Sequence, residues 1–105
     1  MDYIPSVFDS QVMTRAQQND ALAKVFAALL RESRLEVGLS QEQLALRAVV
    51  DRTFVSKIEL AKTQLSLSVF FSLAYAVGKK PEDLIAEVQR RLASTSEFVE
   101  RTGAV

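Results

Sequence analysis

The chain has 105 residues, 49% of them hydrophobic and 25% charged, with 13 basic side chains balanced by 13 acidic ones for a formal net charge of zero. That is room for one domain with a single core, and the absence of Cys and His excludes disulfides, zinc–thiolate sites and imidazole bases. Lys24, Arg31 and Gly78 interrupt the apolar runs well short of a membrane span, and the start MDYIPSVFDS lacks the basic opening of a signal peptide, so a cytoplasmic location is expected.

Residues 1–19 read as an N-terminal arm or a helix extension. Tyr3, Ile4, Val7, Phe8, Val12 and Met13 are too apolar for a solvated tail and are expected to pack on something. From Asp20 onward, Leu22, Val25, Phe26, Leu29 and Leu30 recur at three- and four-residue spacing, which predicts a helix with one buried stripe running to about Leu35. Its start, at Asp20 or as early as Asp9, stays open.

Ser40 followed by Gln43 forms a capping box that starts a second helix at Gln41, with Leu44, Ala45 and Ala48 on its inner face. Asp51 can cap a third helix opening at Arg52, where Val55 and Ile58 point inward. Arg52, Thr53, Ser56 and Lys57 are then left outside, all of them groups that read base edges and phosphates. Ser66 is the expected cap of a fourth helix, with Leu67, Phe70, Phe71, Ala74 and Val77 inward and Gly78 as a left-handed stop. Pro81 opens a fifth, with Glu82 and Asp83 at the positive end of its dipole, continuing through Leu84, Ile85, Val88 and Leu92 to about Ala93. Residues 94–105 read as a C-terminal tail, either a fraying end or a short additional helix carrying Phe98 and Val99.

The second and third helices, joined by a short turn, have the layout of a helix-turn-helix that lays its second helix in the major groove of DNA. Zero net charge counts against this, since DNA-binding domains commonly carry a basic excess. The charge is nevertheless local: residues 52–62 hold Arg52, Lys57 and Lys62 against Glu59 alone. Non-specific affinity should be modest, and dimerisation needed for useful operator binding.

The stretches LLRESRLEVGLSQEQLA, DRTFVSKIE and LAYAVGKKPEDL, within roughly residues 22–88, resemble the Cro and lambda-repressor, or xenobiotic-response-element, type of helix-turn-helix domain. The resemblance implies an all-α, compact five-helix domain over residues 20–93, with an N-terminal arm and an extended C-terminal helix. It implies a sequence-specific regulator, a repressor or autoregulator, binding a palindromic double-stranded operator as a homodimer. Carried over by position, Arg52, Thr53, Ser56 and Lys57 contact bases, with Arg52 matching guanine, while Gln41, Lys62, Thr63 and Gln64 contact the DNA backbone. Arg34 and Glu59 form a partly buried ion pair. Leu84, Ile85, Val88 and Leu92 are the expected dimer surface, with Leu60 and Leu65 as further candidates. Cofactors and metals are not expected.

Three positions depart from the family: Val49 and Ala61 stand where glycine is common, and Leu65 where proline is frequent. A β-branched residue at positive φ is strained, so the turn at Val49 must differ or the strain is absorbed elsewhere. The competing reading is a protein-interaction module, such as an antitoxin whose apolar terminal segments mask a toxin. An enzyme is not expected, because the carboxylates are scattered and no glycine-rich phosphate loop exists.

Overall fold

Thr14 fixes the beginning of the first helix, α1 (Arg15–Glu36). Its hydroxyl accepts from the Gln17 backbone N–H at 3.1 Å, and the Gln17 side-chain oxygen accepts from the Thr14 N–H at 2.9 Å. This reciprocal cap satisfies two N–H groups that a helix start otherwise leaves open. It explains why α1 begins five residues before Asp20. The computed structural model describes residues 14–94; what was expected of the apolar residues from Tyr3 to Met13, and of Phe98 and Val99, lies outside the described residues.

Four helices follow: α2 (Gln41–Ala48), α3 (Arg52–Glu59), α4 (Leu67–Ala76) and α5 (Pro81–Ala93), with no strand among the described residues. The protein is thus all-α. Ser40 and Gln43 cap α2 reciprocally, and the Ser66 hydroxyl caps α4 by accepting from Val69 N–H. Asp51 precedes α3 in an extended conformation, but its side chain makes no capping bond.

The core is one cluster in which Leu30 of α1, Leu44 of α2, Val55 and Ile58 of α3, Leu73 of α4, and Leu84 and Leu92 of α5 are almost fully enclosed. α1 packs on α3 and α5, α2 on α3 and α4, and α4 on α5. The Phe26 and Phe70 rings meet at 5.7 Å, joining α1 to α4.

Two faces differ from expectation. On α4 the buried stripe is Phe70, Leu73, Ala74 and Val77, whereas Leu67 and Phe71 are exposed. Leu67, Phe71 and Tyr75 follow each other at four-residue steps, so they line the adjacent, outward side of the same helix. On α5, Leu84, Val88 and Leu92 are only 2%, 5% and 0% exposed. They are spent on the protomer's own core, which leaves them unavailable to a second subunit; only Ile85, at 47% exposure, looks outward. Leu65 is likewise half-buried against the core, while Leu60 is exposed.

Candidate nucleic-acid interface

The motif is held by the way its helices end. Val49, directly after α2, has φ 58° and ψ 50°, and the following Val50 N–H reaches back to Ala45 O at 3.0 Å. Ala61, two residues past Glu59, also has φ 58°, with the Lys62 N–H on Lys57 O at 2.9 Å. Gly38 and Gly78, at positive φ after α1 and α4, are followed by the same six-to-one closure onto Arg34 O and Ala74 O. All four helices therefore stop by one left-handed motif that satisfies their last carbonyls. At two of the four the left-handed residue carries a side chain.

With α2 and α3 so oriented, Val55 and Ile58 anchor α3 from below. Arg52, Thr53 and Lys57 are exposed on its outer side, and Ser56 is half-buried beside them. Phe54 is half-buried and packs against the core, so its ring belongs to the edge of the domain. The outward row consists of one guanidinium, one ammonium and two hydroxyls, all able to donate hydrogen bonds.

The far end of α3 is fixed by a carboxylate that three elements share. Arg34 of α1 donates from Nε to Glu59 Oε2 at 2.7 Å and from Nη2 to Glu59 Oε1 at 2.9 Å, a two-pronged ion pair almost closed to solvent. The remaining Arg34 nitrogen, Nη1, donates to Leu39 O at 2.9 Å, just before the Ser40 cap. Hydrogen bonding to Glu59 pushes the Arg34 pKa up, against the opposing effect of its burial. Gln41, the first residue of α2, adds a third donor, from Nε2 to Glu59 Oε1 at 3.0 Å. The sequence reading missed this last bond, because a residue expected to face DNA gives no sign of an inward partner.

In the loop after α3, Lys62 is exposed and Thr63 half-buried, its hydroxyl donating to Gln64 O at 3.1 Å. Gln64 donates from Nε2 to Asn19 O at 3.0 Å, which ties the loop to α1. Arg31 and Arg47 are exposed. A second charged cluster lies away from the motif: Arg91 of α5 reaches Glu32 of α1 at 2.7 Å and Glu87 at 2.7 Å, with Arg90 also on Glu87. The Glu87–Arg90 and Glu87–Arg91 spacings are visible in sequence, but Glu32, 59 residues from Arg91, is not. Among the described residues no carboxylate group is arranged to hold a metal ion.

Comparison with known proteins places these features in company. A helix-turn-helix family profile matches residues 30–84. A protein of Neisseria meningitidis serogroup B, described as a Neisseria hypothetical transcription factor, is 37% identical over 71 residues, 68% of this chain and 67% of that protein. Among solved structures, the hypothetical transcription factor NHTF from Neisseria is similar with a TM-score of 0.61 and 29% identity, over 90% of this chain and 95% of that one. The restriction-modification controller protein C.AhdI from Aeromonas hydrophila is similar with a TM-score of 0.54 and 33% identity, over 64% of this chain and 96% of that one.

Proposed function

Because the chain belongs to the Cro and lambda-repressor type of helix-turn-helix family, and is a DNA-binding transcription regulator rather than an enzyme, we propose that it binds a palindromic operator as a homodimer and acts as a repressor or autoregulator in the cytoplasm. The observation that carries this reading is the outward row of Arg52, Thr53, Ser56 and Lys57 over an anchored α3. Arg52, at the first turn, is the specificity residue. Its fork fits guanine O6 and N7, a bidentate contact worth about 1–3 kcal/mol of discrimination.

Gln41, Lys62, Thr63 and Gln64 position the domain on the phosphates. An amide nitrogen carries two hydrogens, so Gln41 can keep one on Glu59 and offer the other to a phosphate at the start of α2. The helix N-terminus favours an anion at that place. The Arg34–Glu59–Gln41 cluster then serves orientation, joining the phosphate-contacting end of α2 to the far end of the recognition helix.

A domain of this size touches few base pairs, so a two-fold dimer on half-sites about one helical turn apart supplies the rest. With Leu84, Val88 and Leu92 consumed by the core, the dimer face on α5 is reduced to Ile85 and its exposed neighbours Ala86 and Gln89. Two copies of α5 crossing antiparallel near Ala86 would set Glu82 of one opposite Arg90 of the other, opposite charges flanking a small apolar centre.

The test is selection from a randomised DNA pool and from genomic fragments at two salt concentrations, alongside Arg52→Ala. Enrichment of a palindrome, with selectivity lost by roughly 1–3 kcal/mol in Arg52→Ala, establishes the reading, and the half-site spacing gives the dimer geometry. Weak, unselective binding that Arg52→Ala leaves unchanged would reject it and point to a protein partner instead.

A further inference from the structure

The loop from Ala61 to Ser66 is anchored at both ends. At Ala61, whose φ is 58°, the Lys62 N–H closes on Lys57 O at 2.9 Å. At the far end Leu65 packs against the core, and the Ser66 hydroxyl caps α4 by accepting from Val69 N–H at 3.2 Å. Between these anchors lie Lys62, Thr63 and Gln64, which face Ala16, Asn19 and Ala23 of α1 across a shallow recess. Thr63 spends its hydroxyl inside the loop, on Gln64 O. Gln64 reaches out of it, donating from Nε2 to Asn19 O at 3.0 Å.

The acceptor is in place because α1 starts early. Asn19 is the fifth residue of α1, within the stretch that the Thr14–Gln17 cap adds ahead of Asp20. A carbonyl inside a helix accepts the N–H four residues on and keeps a second lone pair, and at Asn19 Gln64 takes it. Ala16 and Ala23, short side chains on the same wall, let the loop come this close.

We infer that Gln64 is a positioning residue, whose bond to Asn19 braces the loop against α1 and so sets the place from which Lys62 meets a phosphate. The inference rests on the proposed reading of Lys62 as a contact to the DNA backbone, and it routes the part of Gln64 in that contact through Lys62. A lysine ammonium swings on a flexible four-carbon stem, so the backbone that carries the stem decides where the charge is delivered. A loop ordered before binding also leaves less to be ordered on binding. Gln64 is itself exposed, so the loss of its bond should be felt in the loop and hardly in the fold. A direct amide contact to phosphate is the competing role. It is separable, because a neutral donor releases no counterion whereas a lysine does.

Gln64→Met keeps the length of the side chain and removes the donor. In the free full-length protein, NMR relaxation of the backbone amides of residues 62–64 is expected to show lower order than in the wild type, with the Tm little changed; loop order equal to the wild type overturns the brace. On an operator selected from the randomised pool, Gln64→Met is expected to weaken binding and to lower the salt slope towards that of Lys62→Met, which loses about 0.9 per protomer. Gln64→Met/Lys62→Met should then bind no worse than Lys62→Met alone. Additive losses, with the slope of Gln64→Met equal to that of the wild type, overturn the inference in favour of the direct amide contact. Failure of the operator reading looks different: the wild type then selects no DNA while the loop still loosens in Gln64→Met, which removes the purpose and leaves the brace.

Discussion

Val49 is 88% exposed, so its side chain contributes nothing to packing and its left-handed backbone can be judged alone. An L-residue there carries roughly 1–2 kcal/mol of strain, and glycine would remove it at about 0.5–1 kcal/mol of extra unfolded-state entropy. Val49→Gly should therefore leave stability unchanged or raise it by up to about 1 kcal/mol, a rise in Tm of roughly 4–8 °C at the upper end. A clear fall in thermal melts would show that Val49 is not left-handed in solution. The departure from glycine was visible in the sequence, but its backbone was not, because only the closure of Val50 N–H on Ala45 O shows that the turn keeps the glycine geometry with valine in place. Arg34 and Glu59 pose the opposite case, where packing decides everything. Removing Arg34 strands a nearly closed carboxylate with Gln41 as its remaining side-chain donor, so Arg34→Met should cost about 3–5 kcal/mol, most of it recovered in Arg34→Met/Glu59→Met. A double-mutant cycle with no coupling would contradict the pair's orienting role. Family likeness alone pointed to this pair, since residues 25 apart carry no local spacing signal.

At the scale of elements, α1 and α5 are clasped near their outer ends by Glu32, Arg91 and Glu87. The Arg90 and Arg91 guanidiniums beside Glu87 hold its carboxyl down at about 2, and Arg91 also lowers the pKa of Glu32. A depressed folded pKa stabilises fully above the ordinary value of 4.5 and ceases to do so as pH falls through about 2. The destabilisation caused by Arg91→Gln should accordingly be present at pH 6 and shrink steadily between pH 4.5 and 2. Melting temperatures of both proteins across that range check this, and a difference that does not change with pH would sink it. Helix extents were largely legible, since α2, α3 and α5 begin at the residues their caps or Pro81 suggest. The early start of α1 was legible too, had Thr14 and Gln17 been read as the same capping pattern as Ser40 and Gln43. Faces were harder. On α4 nearly every position is apolar, so composition could not tell Phe70 from Phe71, and the choice fell to what α1 presents opposite, namely Phe26.

For the whole molecule, zero net charge means that no net charge draws it to DNA, and the attraction must come from the local cations. Glu59 does not offset them at the surface, because its carboxylate is already engaged by Arg34. That leaves Arg52, Lys57 and Lys62 as three exposed cations per protomer, which the proposed function turns towards the duplex. If each neutralises one phosphate equivalent, the slope of log K against log salt is about −3 for one protomer and about −5 for two. On the proposed reading, a single protomer is a weak binder at physiological salt, and operator binding needs the second copy. Ile85→Asp tests where that copy attaches. Ile85 is half in solvent, so the variant should keep its helical spectrum while two copies now bring carboxylates together at the α5 crossing. The expected result is a monomer by sedimentation, a salt slope cut to near that of one protomer, and affinity for the palindrome lowered by at least about tenfold, with binding to an isolated half-site unchanged. A folded Ile85→Asp that still sediments as a dimer would move the interface off α5, and the outward stripe of Leu67, Phe71 and Tyr75 on α4 would be the next surface to test. Loss of half-site binding as well would mean that the substitution had disturbed the core beneath it, where Leu84 and Val88 hold α5 in place.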